Sequence, residues 1–231
     1  RPAAWAVGVR GMQNARSVAL DILDAVLVST RPLDDALEGH RGLAQLEDRD
    51  RAFVRVLAAT TLRRLGQLDD LIGRFLEKPL PRNAAGVQQI LRLGLAQLLF
   101  LGTPAHAAVD TAVDLAKERD FNAHKKLVNA VLRRAGRDGA ALVAAQDAAR
   151  LNLPGWLWAS WCGTYGEDTA RQIAAAHLIE PPLDLSVKED PAGWAERLEA
   201  ELLPTGSLRR LGGGAVQALP GFDEGAWWIQ D

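Results

Sequence analysis

Apolar residues in the first part of the chain recur at helical spacing in one segment after another. Between residues 14 and 29 they are three or four positions apart and line one helix face: Ala15, Val18, Ala19, Ile22, Leu23, Val26 and Leu27. Residues 47–65 repeat this pattern. The most apolar segment is 83–99, where a broad apolar surface predicts the central helix of a bundle.

Glycine, proline and short polar residues indicate where these helices begin and end. Gly66 predicts a break after the second helix, and the prolines at 79 and 81 forbid helix continuation. Asn83 is a candidate N-cap for the central helix, since its side-chain oxygen can accept a free backbone N–H. Thr103–Pro104 predicts an N-cap followed by proline, and a last helix is expected from 121 to 134.

The rest of the chain predicts a mixed structure. Residues 138–152 are rich in alanine and predict a connecting helix. Residues 183–187 alternate apolar and polar side chains, as a half-buried strand does, and 194–203 predict an amphipathic helix. The glycines at 212–214 indicate a turn between two short extended segments, 207–211 and 215–219. The expected fold class is mainly α, a helical bundle followed by a small helical plus α+β subdomain.

Composition narrows the class of protein. A chain of 231 residues with 48% hydrophobic residues can bury a sizeable core. Its single cysteine, Cys162, cannot form an internal disulfide. The sequence contains neither a signal peptide nor an apolar run of about 18 residues that could span a membrane. We therefore expect a cytoplasmic protein with no membrane partner.

The net charge of -2 conceals a change of sign along the chain. Residues 1–138 contain 21 Lys and Arg against 16 Asp and Glu, whereas residues 139–231 contain 6 against 13. A basic first half can contact a phosphate backbone. Ordinary variation in the surface charge of a helical domain explains the same numbers, so charge alone leaves both interpretations open.

Six basic residues are the candidates for phosphate contact: Arg10, Arg16, Arg63, Arg64, Lys125 and Lys126. Lys125 and Lys126 are placed early in the last predicted helix, where the helix dipole disfavours positive charge, so a ligand would explain them. The later pair, Arg133–Arg134, suits the negative end of that dipole and needs no ligand. Each of the six candidates is equally explained as a solubilising surface residue.

Catalytic and metal-binding patterns are not found in the sequence. The four histidines have no metal-ligand spacing, and the glycines at 212–214 lack the strand-before, helix-after setting of a phosphate loop. Adjacent carboxylates such as Asp69–Asp70 diverge in direction and fit helix starts or turns better than acid–base work. Cys162 lies in a Trp-rich segment and is expected to be buried filler. We predict no catalytic residue, no metal site and no cofactor site in this chain.

Four segments of the first half resemble the helices of the NusB antitermination factors. They are NARSVALDILDAVL (14–27), QLDDLIGRFL (67–76), QQILRLGLAQLLFLGTPAHAAVDTAVDLAK (88–117) and HKKLVNAVLRR (124–134). The resemblance covers residues 12–137 and implies an all-helical RNA-binding domain, in which the six basic candidates would contact RNA. It places the remaining boundaries at a connecting helix, 138–152, and a further subdomain, 153–231.

The second half resembles the RsmB, or Sun, family of bacterial rRNA cytosine 5-methyltransferases. The similar segments are PGWLWASWCGTYGEDTARQIAAAHLIEPPLDLSVK (154–188) and LPGFDEGAWWIQD (219–231), the latter leading into the catalytic domain in that family. This implies the recognition part of a 16S rRNA methyltransferase, with the C-terminal domain that binds S-adenosylmethionine expected to be missing. One departure is Ser186-Val187-Lys188, where the family commonly has Arg-Val-Asn, so no RNA contact of that arginine carries over.

An alternative function fits the same residues. NusB-type domains act in transcription antitermination and also engage a small-subunit ribosomal protein, so an RNA-binding or protein-interaction module without catalysis is the competing hypothesis. The adjacent Trp227 and Trp228 carry a separate prediction. In an extended segment they must point to opposite sides, so one is expected to be buried and the other exposed.

Overall fold

The computed structural model describes residues 14–211 and 216–230, which form two compact units divided after Leu178. In the first unit the α-helices are α1 (Ala15–Leu27), α2 (Leu33–Glu38), α3 (Arg41–Ala44), α4 (Asp48–Arg63), α5 (Leu65–Phe75), α6 (Ala85–Leu99), α7 (Ala105–Glu118), α8 (Lys125–Ala144), α9 (Ala148–Leu151), α10 (Gly155–Tyr165) and α11 (Glu167–Ala176). Short 3-10 turns, Arg82–Ala84 and Asn122–His124, precede α6 and α8. The expected fold class, mainly α with a small mixed part, is confirmed.

Helix α6 is the centre of the first unit, as its apolar sequence predicted. The helices α1, α4, α5, α7 and α8 all pack against it. Its side chains at Val87, Ile90, Leu91 and Leu95 are completely buried. Around α6 the neighbours form a ring in the order α4, α1, α7, α8 and α5. Burying these large aliphatic side chains from all sides is the main stabilisation of the unit.

The side-chain cap that the structure shows at a helix start is not one of the two that the sequence predicted. Asn14 caps α1, where its Oδ1 accepts the backbone N–H groups of Arg16 and Ser17 at 3.0 and 2.9 Å. The predicted cap at Asn83 is wrong, because a 3-10 turn takes up this residue and α6 begins at Ala85 without a side-chain cap. The predicted cap at Thr103 is also wrong, since Pro104 itself occupies the cap position of α7.

Gly66 lies inside α5 and is not the predicted break. The change of direction between α4 and α5 occurs at Arg64, with φ -105° and ψ 14°. A Cβ atom at position 66 would lie 1.8 Å from the carbonyl oxygen of Leu151. Glycine is therefore needed here for the close approach of α9 to α5, and not for a turn.

Helix α8 runs without interruption from Lys125 to Ala144. The helix predicted to end at 134 therefore continues, and the segment predicted as a separate connecting helix begins inside it. The buried face goes on through the small residues Ala135 and Gly139, which give a weaker apolar signal in the sequence than Val128 and Leu132. A Cβ at Gly139 would lie 2.8 Å from Leu99 Cδ2, so α8 and α6 are in close contact at this point.

The second unit is a four-stranded antiparallel sheet with one helix. Its elements are β1 (Leu183–Val187), α12 (Pro191–Arg197), β2 (Glu201–Leu202), β3 (Leu208–Arg210) and β4 (Trp227–Gln230). The strand order is β2-β3-β1-β4. The core of this unit consists of Leu185, Leu198, Leu208 and Trp227.

The sequence predicted the strands of this unit better than its helix. The strand expected at 183–187 is confirmed, and β3 lies inside the extended segment expected at 207–211. The helix expected at 194–203 is wrong in its bounds, since α12 begins at Pro191, where Asp190 accepts the N–H of Gly193. Residues 216–218 form a 3-10 turn, where an extended segment was expected. The glycine turn at 212–214 lies outside the described residues.

A carboxylate in α1 predicts a pH dependence of stability. Burial, together with the neighbouring charge of Asp21, raises the pKa of Asp24 to about 6, against the opposing effect of Arg119. A folded-state pKa above the unfolded value means that the folded state favours the protonated form, so stability is lost as pH rises through about 6. We expect Asp24→Asn to be more stable than the parent above pH 6, by about 1 to 2 kcal/mol once the shift is discounted for partial exposure.

Urea unfolding of the Asp24→Asn variant and the parent between pH 4 and 8 measures this difference. The variant's advantage should be present at pH 7.5 and should be mostly lost by about pH 4, where the parent carboxyl is protonated in the folded state and about half protonated in the unfolded state. An advantage that is the same at every pH would contradict the assignment, because it would not depend on ionisation of Asp24.

Candidate nucleic-acid interface

The structure divides five of the six predicted phosphate contacts into two groups. Lys125 and Lys126 are the first two residues of α8 and are exposed. Arg16, Arg63 and Arg64 border α4. Arg10 lies outside the described residues.

Arg16 is committed to contacts inside the first unit. Its Nε donates to Gln97 Oε1 at 2.7 Å, and its guanidinium lies 5.1 Å from the centre of the Phe53 ring. Burial lowers the pKa of this guanidinium, although the charge of Asp50 partly opposes the effect. Arg16 thus ties α1 to α4 and α6, and much of its charge is directed inward.

Arg64 has a similar internal role, whereas Arg63 does not. The guanidinium of Arg64 donates to Gln67 Oε1 at 3.1 Å and to the Leu178 carbonyl at 3.2 Å, and lies over the Phe100 ring. Burial, with a smaller effect of the neighbouring Arg63 charge, lowers the pKa of Arg64. Arg63 is half-buried and forms no ion pair with any described residue.

The two groups are at opposite ends of α6. Helices α6 and α8 run in the same direction, because Gly86 lies against Phe121 and Gly94 against Leu132. Lys125, the first residue of α8, therefore lies near the start of α6. Arg16 and Arg64 instead contact Gln97 and Phe100, at the end of α6. By the same pairing Lys125 lies level with about residue 89 of α6, eight residues before Gln97, which is about 12 Å along the helix. The structure does not bring the predicted residues together on one surface.

The start of α8 borders an open groove between α7 and α8 with a volume of about 540 Å³. Its lining residues are Asp110, Val113, Asp114, Lys117, Lys125, Lys126 and Asn129. The two α7 carboxylates partly offset the three lysines, and Asp114 is paired with Lys117 at 2.7 Å. An anion is therefore better accommodated on the outward side of α8 than deep in the groove.

Three basic residues form a row on that outward side, which we call the α8 row: Lys126, Arg133 and Arg137. Separations of seven and eleven residues place them within about 40° of one another around the helix. All three are exposed, and the row extends over about 16 Å. It lies opposite the buried face that Val128 and Leu132 help to form.

The charges of the α8 row are not offset by neighbouring acids. Arg133 Nε donates to Asn129 Oδ1 at 3.0 Å, and Arg137 donates to the backbone carbonyl of Arg133 at 3.3 Å. Over the described ranges 14–211 and 216–230, no carboxylate forms an ion pair with any of the three. The neighbouring Arg134 differs, since it lies over the Phe75 ring and 3.8 Å from Asp138.

Arg133 and Arg137 were not among the six predicted contacts. Arg133 and Arg134 were expected at the end of a helix, where the dipole explains them, but both lie in the middle of α8. A signal was present in the spacing, since Lys126, Arg133 and Arg137 share one helix face. Recognising that face requires knowing that the helix continues past Gly136.

The Trp-rich helix α10 serves packing more than chemistry. The guanidinium groups of Arg150 and Arg171 lie 5.4 and 5.2 Å from the centre of the Trp158 ring, and Trp161 stacks on His177. Cys162 is half-buried, so the expectation that it is buried filler is wrong in degree. Trp156, in the same helix, is 73% exposed.

Two further findings concern the described residues. Within residues 14–211 and 216–230, no three His, Cys, Asp or Glu side chains come together in a way that could hold a metal ion. In the same part of the chain, no helix combines the length and the apolar character needed to cross a membrane.

The sheet of the second unit presents a polar outer face. Arg209 binds both carboxylate oxygens of Asp184 at 2.8 and 2.6 Å, which lowers the pKa of that carboxyl through the hydrogen bonds. Ser186, which stands where the methyltransferase family commonly has arginine, accepts a hydrogen bond from Gln230. Among the described residues, this face carries these two pairs of polar contacts and the exposed ring of Trp228, which lies opposite Ser186 in the register.

Three known proteins with closely related names are similar to this chain over most of its length. A Synechocystis protein named probable ribosomal RNA small subunit methyltransferase B is 34% identical over 86% of this chain and 48% of its own length. Ribosomal RNA small subunit methyltransferase B of Pseudomonas putida is 33% identical over 94% of the chain and 52% of its length. The Escherichia coli protein of that name is 30% identical, over 96% and 54%. This chain spans about half the length of these relatives.

A solved structure shows a likeness of fold. The crystal structure of PH0851 matches 97% of this chain and 54% of its own chain, with a TM-score of 0.57 and 15% sequence identity. The family comparison is more specific, because residues 13–137, more than half of the chain, match the NusB family. These are nearly the bounds that the sequence resemblance indicated, and this chain belongs to the NusB family.

Proposed function

We propose that this chain is the rRNA-recognition part of a small-subunit rRNA cytosine 5-methyltransferase, and that it binds 16S rRNA through the α8 row. The observation that carries the proposal is the row itself: three exposed cations on one helix face, opposite the core, without carboxylate partners among the described residues. A phosphate backbone supplies the missing negative charge, and the binding gains from release of condensed counterions.

The relatives give the proposal its substrate class. Their names place them in the modification of small-subunit ribosomal RNA. RNA contact by residues 12–137 and a cytosine of 16S rRNA as the modified base are part of the proposal, as is a cytoplasmic setting.

Methyl transfer itself is assigned to another part of such an enzyme. In the methyltransferase family a cysteine attacks the pyrimidine and S-adenosylmethionine supplies the methyl group. The one cysteine of this chain, Cys162, belongs to α10, whose aromatic rings pack against Arg150, Arg171 and His177. We therefore propose that these residues recognise RNA and leave the cofactor to a C-terminal methyltransferase domain.

The test is a triple substitution of the α8 row, Lys126→Gln/Arg133→Gln/Arg137→Gln. We expect the parent to bind a 16S rRNA hairpin with an affinity that falls steeply between about 50 and 200 mM salt. The triple variant should bind at least about tenfold more weakly at 100 mM salt. The slope of log affinity against log salt should decrease by about 2 to 3, one contact for each lost cation. Fluorescence anisotropy measures both quantities.

A matched control removes the same charge from exposed positions elsewhere: Arg41→Gln/Lys78→Gln/Lys188→Gln. It should retain nearly the parent affinity and salt slope, because its replaced residues lie outside the α8 row. If long-range charge alone were responsible for binding, both triple variants would be affected equally. Circular dichroism establishes that both are folded. An α8 variant that binds the hairpin like the parent, or a control that loses as much affinity as the α8 variant, refutes the assignment.

A further inference from the structure

Helix α4 presents a second exposed basic surface on a different side of the bundle. Arg49, Val56 and Arg63 follow one another at seven-residue intervals, which drift by only about 20° per step around a helix. They therefore form a nearly straight line, about 21 Å long from Arg49 to Arg63. Arg55 lies on the flank of this line. We call Arg49 and Arg55, which are exposed, and Arg63, which is half-buried, the α4 face.

The α4 face is opposite the side of the helix that enters the core. The buried residues of α4 include Val54, Leu57 and Thr61. Val56, on the exposed line, is 45% accessible although it is apolar. An exposed valine between two arginines provides apolar contact at the centre of a charged surface, an arrangement with no role in the core.

Nearby carboxylates are directed elsewhere. Asp48 is paired with Arg51 on the same helix. Asp50 acts on Arg16 at the boundary with α1. In the part of the chain that the structure describes, none of the three cations of the α4 face forms an ion pair. The charges are therefore available to an anionic ligand.

The position of the two basic surfaces follows from the packing around α6. On one side α1 and α7 lie between α4 and α8, and on the other side α5 lies between them. The outward faces of α4 and α8 consequently point in different directions. All these helices belong to one compact unit. An RNA segment bound to one of the two surfaces therefore leaves the other surface open.

We infer that the α4 face is a second phosphate-binding surface, and that one copy of the chain holds two RNA segments at once. This rests on the proposed function, because it assigns the same ligand class to a second site. With one segment held on the α8 row, a second segment of the same RNA has a raised effective concentration at the α4 face. Folded RNA with two neighbouring helices is thus bound more tightly than either helix alone.

The experiment uses two short RNA hairpins, one biotinylated on beads and the other fluorescent. We expect the parent chain to retain the fluorescent hairpin on the beads. The triple variant of the α4 face, Arg49→Gln/Arg55→Gln/Arg63→Gln, should still bind one hairpin but should retain at least about tenfold less of the second. The α8 triple variant should show the same loss of the second hairpin, and the control variant with Arg41, Lys78 and Lys188 replaced should behave as the parent. Circular dichroism checks the fold of each variant.

The outcomes distinguish this inference from the proposed function. If the parent binds no hairpin, both fail. If the parent binds one hairpin and never a second, and the α4 variant equals the parent, the second surface is overturned while the α8 row stands. Retention only at concentrations where light scattering shows a dimer also overturns it, because two copies would then carry one hairpin each. The parent and the α4 variant are also compared for binding to poly-glutamate. If the α4 variant loses that binding but retains the second RNA hairpin like the parent, the inference is overturned and the α4 face is assigned to an acidic protein.

Discussion

Trp227→Ala is expected to cost the second unit about 3 to 5 kcal/mol of stability, while Trp228→Ala leaves it nearly unchanged. The Trp227 side chain is 6% exposed and belongs to the core with Leu185 and Leu208. Its Nε1 donates to the Pro220 carbonyl at 2.8 Å, so alanine would leave both a cavity and an unpaired acceptor. Trp228 is 51% exposed.

The two substitutions form a matched pair, since they remove the same side chain from adjacent positions of one strand. Thermal unfolding followed by circular dichroism, with hydrogen exchange of β1 amides to isolate the second unit, measures both losses. Equal and large losses would contradict the structure, because Trp228 would then be buried by contacts that the structure does not show. Equal and small losses would show that Trp227 is not part of the core.

Gly66→Ala is expected to destabilise the first unit by about 3 kcal/mol or more. The new Cβ would lie 1.8 Å from the Leu151 carbonyl oxygen, a backbone atom that no side-chain rotation can move away. Relief requires displacement of α9 from α5. That displacement would break the hydrogen bonds between Gln67 and Asn152, at 3.1 and 3.0 Å, and leave a buried amide unpaired.

The control is Gly73→Ala in the same helix. A Cβ at position 73 meets nothing within 4 Å, so the substitution should stabilise α5 by about 0.5 to 1 kcal/mol through helix propensity alone. Urea unfolding of both variants gives the comparison. A Gly66→Ala variant as stable as the parent would mean that α9 does not approach α5 as described.

Elements governed by simple periodicity could be predicted from the sequence. The strand at 183–187 alternates visibly because one face of it is buried, and the apolar positions of α6 are so many that only a central place accommodates them. The alternation also predicted that the two adjacent tryptophans of β4 differ in burial, which is confirmed.

Elements governed by small residues could not be predicted in this way. The inward face of α8 changes from Val128 and Leu132 to Ala135 and Gly139, where the apolar signal weakens although the packing continues. The packing role of Gly66 could not be predicted either. Its partner Leu151 is 85 positions away in the sequence, and no local pattern contains that information.

The candidate site was predicted only in part, because exposure of a cation depends on tertiary partners. Lys126 is exposed as expected, but Arg16 and Arg64 are drawn inward by the rings of Phe53 and Phe100. Phosphate contact by any of the six remains a prediction. The sequence shows a positive charge but not whether a ring, an amide or a carboxylate already holds it.

The ring of helices around α6 also has a consequence for how the chain matures on the ribosome. Helices α1, α4 and α5 are synthesised before their common partner α6 exists, and α7 and α8 follow it. Until the residues of α8 have left the exit tunnel, the apolar side of α6 that faces Leu132 is uncovered. The unit therefore completes its core late in translation, and the apolar faces of its early helices lack their common partner until that moment.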